Sequence, residues 1–262
     1  MTSLSPESFA GTYGTDIELT KQAFDSLASG KTIVLGVSGK LGAGKDSVAP
    51  IMISRLGHRD ALHEFFAKPL KDEVDQVIEL IIKSESRQQA IVEIIKQQNI
   101  LESQSKIIVM RLWDEVKSGL VKSSRTRTDN TRFGLQFWGT DIRRYQDDGY
   151  WVKIAIQSTL EKLATGYSVF VTDPRFENEI DALTALGDLG SYTVRLKVSP
   201  EEQARRIFQR DNIYPTKEAL NHISETALDK YEALGKFTIV IDTDNLTQEE
   251  VVEAALLGIK SV

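Results

Sequence analysis

The sequence predicts an α/β protein, a three-layer α/β/α domain built on a mostly parallel central sheet. Short apolar runs at 33–35, 168–171, 192–198 and 237–241 alternate with longer stretches of helical periodicity. Strands separated by helices imply parallel pairing through right-handed crossovers. The first run also leads straight into Gly39-Lys40-Leu41-Gly42-Ala43-Gly44-Lys45-Asp46-Ser47, a glycine-rich turn followed by a helix start. That strand–turn–helix order is the local context of a phosphate-binding loop.

In chain order, residues 1–16 are rich in Ser, Thr and Gly and predict a loose lead-in. Ile17, Phe24, Leu27 and Ala28 recur at helical spacing, and Gly30 stops that helix, so 1–30 is a preface with one short helix. Strand one follows, and 45–56 is the helix behind the glycine turn. A short strand is expected at 61–66, and Pro69 opens a helix running to about residue 83. From 84 to 121 the chain lacks proline, and Ile91, Ile94, Ile95, Ile107, Ile108 and Leu112 alternate with Gln, Lys and Glu. This is the pattern of amphipathic helices, read here as a helical insertion. The polar stretch 122–131 (KSSRTRTDNT) predicts a loop and hinge. Helices at 151–163, 175–186, 200–209 and 247–259 then alternate with strands at 168–171, 192–198 and 237–241.

With 262 residues, 41% hydrophobic and 27% charged, the chain has room for one large domain with a sizeable insertion. A net charge of −6 counts against general nucleic-acid binding but allows a local basic pocket. The absence of cysteine excludes disulfides and thiolate metal sites, and fits a reducing cytoplasm. The first residues carry no basic or apolar leader, and no run approaches the roughly 18 apolar residues of a membrane span. A cytoplasmic protein with no membrane or nucleic-acid partner is expected.

Three segments bear chemistry. In the glycine turn, Gly39, Gly42 and Gly44 allow backbone N–H groups to point at phosphate oxygens. Lys45 and the first helical turn add positive charge. The pattern G-x-x-x-x-G-K-[ST] is met from Gly39 through Lys45, but Asp46 occupies the hydroxyl position and Ser47 follows it. The second segment, Thr172-Asp173-Pro174-Arg175-Phe176-Glu177-Asn178-Glu179, leaves a strand for a helix. An acid there can hold magnesium through water, and Arg175 can grip a phosphate bidentately; Asp before Pro is equally a turn starter and helix cap. The third, residues 131–144, combines arginines, aromatics, Gln136 and Gly139-Thr140, groups that suit a phosphorylated base. It also reads as an amphipathic helix with a solvated basic face.

The segments KLGAGKDS, Phe66-Ala67-Lys68-Pro69-Leu70-Lys71, Leu135-Gln136-x-x-Gly139-Thr140-Asp141, Tyr150-Trp151-Val152, Val171-Thr172-Asp173-Pro174-Arg175 and His222-Ile223-Ser224-Glu225 occur in that order. Together, over roughly residues 32–245, they resemble the deoxynucleoside monophosphate kinases of large-genome tailed bacteriophages. The resemblance implies a P-loop kinase domain over 31–262, with 67–150 as a helical acceptor-binding region and about 203–232 as a lid. It implies transfer of the γ-phosphoryl of ATP to a deoxynucleoside 5′-monophosphate with Mg²⁺, in the host cytoplasm if the chain is phage-encoded.

On that basis Lys45, Asp173, Arg175, Arg206 and Arg210 would carry catalysis. Gly39, Lys40, Gly42, Ala43, Gly44, Lys45, Asp46, Ser47, Asp244 and Asn245 would bind ATP. Lys68, Lys71, Arg132, Gln136, Gly139, Thr140, Trp151, Asp173, Arg175 and Glu179 would hold the acceptor. Asp46, Ser47 and Asp173 would serve the metal. Another small-molecule P-loop kinase, such as a dephospho-coenzyme A kinase, shares the loop and sheet. So does a nucleotide-dependent switch protein. The helical insertion also offers a face for a second subunit.

Overall fold

The computed structural model describes residues 4–212, 214, 215, 220, 221 and 223–261. The chain divides into two compact units, Met1–Phe66 with Val152–Val262, and Ala67–Trp151.

In the first unit, five strands among the described residues form one all-parallel sheet: β1 (Val34–Gly39), β2 (Leu62–Glu64), β3 (Val169–Val171), β4 (Ser191–Lys197) and β5 (Ile239–Asp242). Their order is β2-β3-β1-β4-β5, so β1 is central and its exit loop stands mid-way along the carboxyl edge. Ligands of open parallel sheets bind at that edge.

Strand alternation sorts the core into two layers. Leu35, Val37 and Phe170 point to one face, where Val48, Ala49 and Met52 of α3 (Lys45–Arg55) and Val252, Ala255 and Leu256 of the last helix (Gln248–Lys260) cover them. Val34, Val169 and Val171 point to the other, beneath α1 (Pro6–Tyr13), α2 (Ile17–Ala28), and residues of the helices Tyr150–Ala164 and Glu177–Thr184. The α/β/α layering thus follows from which side each alternate apolar residue takes.

The loose lead-in expected for residues 1–16 is corrected. Pro6–Tyr13 is a helix, capped by Ser5, whose hydroxyl accepts from the Ser8 N–H, with proline at the start. Phe9 is fully buried against Phe24, their ring centroids 5.4 Å apart. The Ser-Pro-Glu order was a helix-start signal, outweighed by the surrounding small polar residues. The loop expected over 122–131 is also shorter: Thr128 caps a helix at Asp129–Gln136.

The second unit is helical, with Ala67–Lys83, Arg87–Gln98, Glu102–Lys117 and Asp129–Gln136 followed by a π-helical stretch at Phe137–Arg144. Val77, Ile81, Ile94, Ile108, Leu112 and Trp138 form its core. Inside it, the Glu73 carboxylate accepts from Trp138 Nε1 and Arg143 Nε, both at 2.7 Å, and from the Tyr150 hydroxyl. Burial, first, and Glu73, second, push the Tyr150 phenol up to about 12. No helix among the described residues is long and apolar enough to cross a membrane.

Leu112 is fully buried. Leu112→Ala removes three carbons from a closed helical core and is expected to cost about 2–5 kcal/mol. Urea unfolding monitored by circular dichroism reads the change.

Candidate functional site

The glycine loop joins β1 to α3. Gly42 and Gly44 have φ of 82° and 88°, a region in which side chains are strained. Gly39 is needed for a different reason. A Cβ there would lie 2.9 Å from the Ala43 Cβ and 3.0 Å from the Leu196 carbonyl oxygen. The helix Pro200–Asp211 lies against the loop: Gln203 Nε2 donates to the Leu41 carbonyl at 2.8 Å, and a Cβ on Gly42 would come 3.3 Å from Ile207. Gly44 caps α3 without a side-chain acceptor. First-turn N–H groups of such a helix are oriented toward whatever anion approaches.

Lys45, at the first helical position, is 8% exposed. Burial pulls its ammonium below the usual lysine range and the nearby Arg175 adds to that, while Asp46, Glu225 and Asp173 oppose it. The Lys45 ammonium lies 3.8 Å from the Asp46 carboxylate, and Arg175, Glu225 and Asp173 are near enough for their charges to act on it. Arg175 Nη1 donates to Glu225 Oε1 at 2.5 Å, and the other oxygen of that carboxylate accepts the Leu41 backbone N–H at 2.7 Å. Asp173 Oδ1 accepts the Phe66 N–H at 2.9 Å, tying the exit of β3 to the exit of β2. Asp46 and Ser47 are both exposed on the first turn of α3.

Glu179 has a different place from the one the resemblance implies. It is buried, and its carboxylate accepts the N–H groups of Arg175 at 2.6 Å and Phe176 at 3.1 Å. It caps its own helix and holds the Arg175 backbone. Lys40 is likewise engaged, its ammonium 2.8 Å from Asp229.

Sequence reading missed the buried partner of this edge. Arg195 on β4 is 3% exposed and stands beside Ser38 in the strand register. It donates to Ser38 Oγ at 3.0 Å, to Asp229 at 3.0 Å and to Glu232 at 3.2 Å, while Ser38 Oγ donates to the Pro174 carbonyl at 3.1 Å. The available signal was an arginine between Val194 and Leu196 in a strand of mostly buried residues, which burial rules require to be paired. His63 was missed as well. It bonds Thr172 Oγ1 at 2.9 Å and stacks on Phe170 at 4.2 Å; burial lowers its pKa, with Asp46 opposing.

Beside the loop opens a cleft of about 650 Å³, lined among others by Ala43, Gly44, Ser47, Arg206, Thr243 and Asn245. Arg206 bonds the hydroxyl and carbonyl of Thr243 at 3.0 and 2.6 Å and Glu202 at 2.7 Å. Arg205 and Arg206 together hold the Glu202 carboxyl down at about 2. Arg206 is thus a fixed wall of this cleft. Arg210 is exposed on the same helix and does not line the cleft. Asn245 lines it, whereas the Asp244 carboxylate accepts the Ser199 N–H at 3.0 Å.

In the second unit, Lys68, Arg132, Gln136 and Thr140 are exposed and Lys71 is half-buried. Gly139 and Trp151 are not open walls. Trp151 is buried and its indole donates to the Gly139 carbonyl at 3.1 Å, and a Cβ on Gly139 would meet Leu70 at 3.1 Å. Both are core elements, set by close packing. His222, part of the motif ending at Glu225, lies outside the described residues.

Magnesium with a nucleotide needs only one or two carboxylates plus phosphate oxygens and water. Exposed Asp46 and Ser47 at the helix start, and Asp173 near Lys45, are residues of the right kind to hold it.

Gly39→Ala forces a methyl against a backbone oxygen and is expected to cost about 1–3 kcal/mol. A lowered unfolding midpoint in differential scanning calorimetry checks this, and a wild-type midpoint counts against the close approach described.

No family model matches the chain. No curated protein matches it either. Among solved structures it is similar to TT1252 from Thermus thermophilus, at 15% identity over 88% of this chain and 97% of that one, with a TM-score of 0.47. It is also similar to an uncharacterized protein from Eubacterium ventriosum, at 10% identity over 88% of this chain and 100% of that one, with a TM-score of 0.39. At these scores neither likeness carries an argument about the site.

Proposed function

We propose that the chain is an ATP-dependent kinase that phosphorylates deoxynucleoside 5′-monophosphates to diphosphates. The observation that carries the phosphate part of this reading is the buried Lys45 at the start of α3, behind a loop that turns through Gly42 and Gly44 and a helix start with no side-chain cap, with the Arg175 charge acting nearby. Two cations and a set of backbone N–H donors at one place are suited to a polyphosphate. The adjoining cleft, with Asn245 and the aliphatic Val48 and Val251 in its wall, has room for a base and sugar. The acceptor class rests on the ordered motifs that resemble phage monophosphate kinases.

Phosphoryl transfer asks the protein for alignment and charge neutralisation rather than for a nucleophile of its own. An oxygen of the acceptor phosphate forms the new bond to the γ-phosphorus while the bond to the β–γ bridging oxygen breaks, leaving ADP. Lys45 and the loop N–H groups hold the donor phosphates. Arg175 neutralises charge on the migrating group, with Glu179 fixing its backbone. Asp46, Ser47 and Asp173 would hold Mg²⁺, which would supply further charge neutralisation. Arg206 would border the nucleoside side of the cleft.

A panel of dNMPs, NMPs and dephospho-coenzyme A with ATP and Mg²⁺, followed by chromatography of the products, tests the reading. Conversion of at least one dNMP to its diphosphate is expected. Lys45→Ala and Arg175→Ala should each lower kcat/KM by about a hundredfold or more, the scale of losing a charged transition-state contact. Turnover of dephospho-coenzyme A alone, or no acceptor-dependent ADP at all, would sink the proposal. Near-normal turnover by Lys45→Ala would sink its mechanism.

A further inference from the structure

The glycine loop already grips an anion, and that anion belongs to the protein. One carboxylate oxygen of Glu225 takes the Leu41 N–H at 2.7 Å and the other takes the Arg175 guanidinium at 2.5 Å. The Glu225 side chain is 10% exposed, and its charge is felt by Lys45. A donor N–H of the loop, a guanidinium and a nearby ammonium are the partners a phosphate would take.

The described contacts of the surrounding segment change in kind along its length. Glu225 lies on a single helical turn, Ile223–Thr226, whose Ile223 is 56% exposed. A few residues on, Leu228 is 2% exposed and packs with Ile180 and Phe237. Asp229 and Glu232, on the next short helix, are clamped by Arg195. The segment is therefore anchored by apolar contact and a buried arginine beyond residue 227. Its Glu225 end is held at the loop by two charge-dependent bonds. Bonds of that kind exchange for those of a competing anion at little cost in buried apolar area.

We propose that Glu225 is an internal anion that takes the phosphate seat of the loop and is displaced by the phosphates of an incoming nucleotide. This rests on reading the loop as a phosphate site. Two nearby cations with too little counter-charge are costly, and Glu225 adds to the charge of Asp46 and Asp173 there until a polyphosphate does. The exchange has two consequences. The apparent nucleotide affinity is lowered by the fraction of molecules in which Glu225 holds the seat. Occupancy of the seat also frees residues 223–226 from the loop, so nucleotide binding is reported to the segment that follows.

Isothermal titration of wild type and Glu225→Gln with ATP, and separately with inorganic tripolyphosphate, tests the competition. Glu225→Gln keeps an acceptor for the Leu41 N–H and removes the charge. It is expected to bind both ligands about fivefold or more tighter than wild type. Equal or weaker binding by the variant, with wild type binding normally, overturns the proposal and leaves the loop reading standing. Binding of neither ligand by either protein overturns the loop reading and the proposal with it. If Glu225→Gln does not fold, hydrogen exchange on wild type decides. Added ATP should slow exchange at 41–47 and speed it at 223–226, and unchanged or slower exchange at 223–226 overturns the proposal.

Discussion

A buried ammonium beside a guanidinium is the constraint around which the carboxyl edge of the sheet is organised. Lys45 is almost withdrawn from water, and Arg175 adds a second positive charge close by. Such a pair stands only where carboxylates compensate it. Asp46, Asp173 and Glu225 do so from three different parts of the chain: the first turn of α3, the exit of β3, and the segment after the helix Pro200–Asp211. The compensation thereby adds a charge link between elements of which α3 and β3 already share a core. It also keeps the glycine loop against positive charge and backbone donors, the environment a polyphosphate requires.

A second charged layer supports the first. Arg195 reaches from β4 to Ser38 on β1, and its other nitrogens hold Asp229 and Glu232. Ser38 in turn donates to Pro174, one residue before Arg175. The chain of contacts runs from a fully buried strand residue to the guanidinium at the site in a few steps. Arginine suits this because its planar fork satisfies three partners at once without needing water. The same logic recurs in the second unit. There Arg143 is buried between Trp138 and Tyr150, bonded to Glu73 and to Gln98. Its partners leave it a structural cation, although the sequence around it is rich in groups that could bind a ligand.

The fold was legible because its signals are local. Apolar runs of strand length, the glycines at 39, 42 and 44, and the isoleucine periodicity of 84–121 each act within a few residues. The parallel α/β arrangement follows from their alternation. Of the candidate site, the turn itself was legible because its signal is local: Gly42 and Gly44 take the positive φ that glycine allows, and α3 starts at Lys45. What escaped was set by partners distant in sequence. Arg195 meets Asp229 and Ser38, Glu179 turns back to cap its own helix, and Trp151 bonds Gly139 in a closed core. An arginine, a glutamate and a tryptophan have the same letters whether they face a ligand or each other. Burial decides, and no short window of sequence reports it. Pro6–Tyr13 is the exception, a helix whose cap and proline were in plain view.

On the proposed reading, the loop between β1 and α3 seats phosphate with Lys45 and Arg175 beside it. A crystal structure with a non-hydrolysable ATP analogue and Mg²⁺ tests it most directly. Phosphate oxygens are expected within hydrogen-bond reach of the Lys45 ammonium and the backbone N–H groups of the loop, with the base beside Asn245 and Arg206. Nucleotide bound elsewhere, with Lys45 still turned to its carboxylates and no phosphate against the loop, would contradict it.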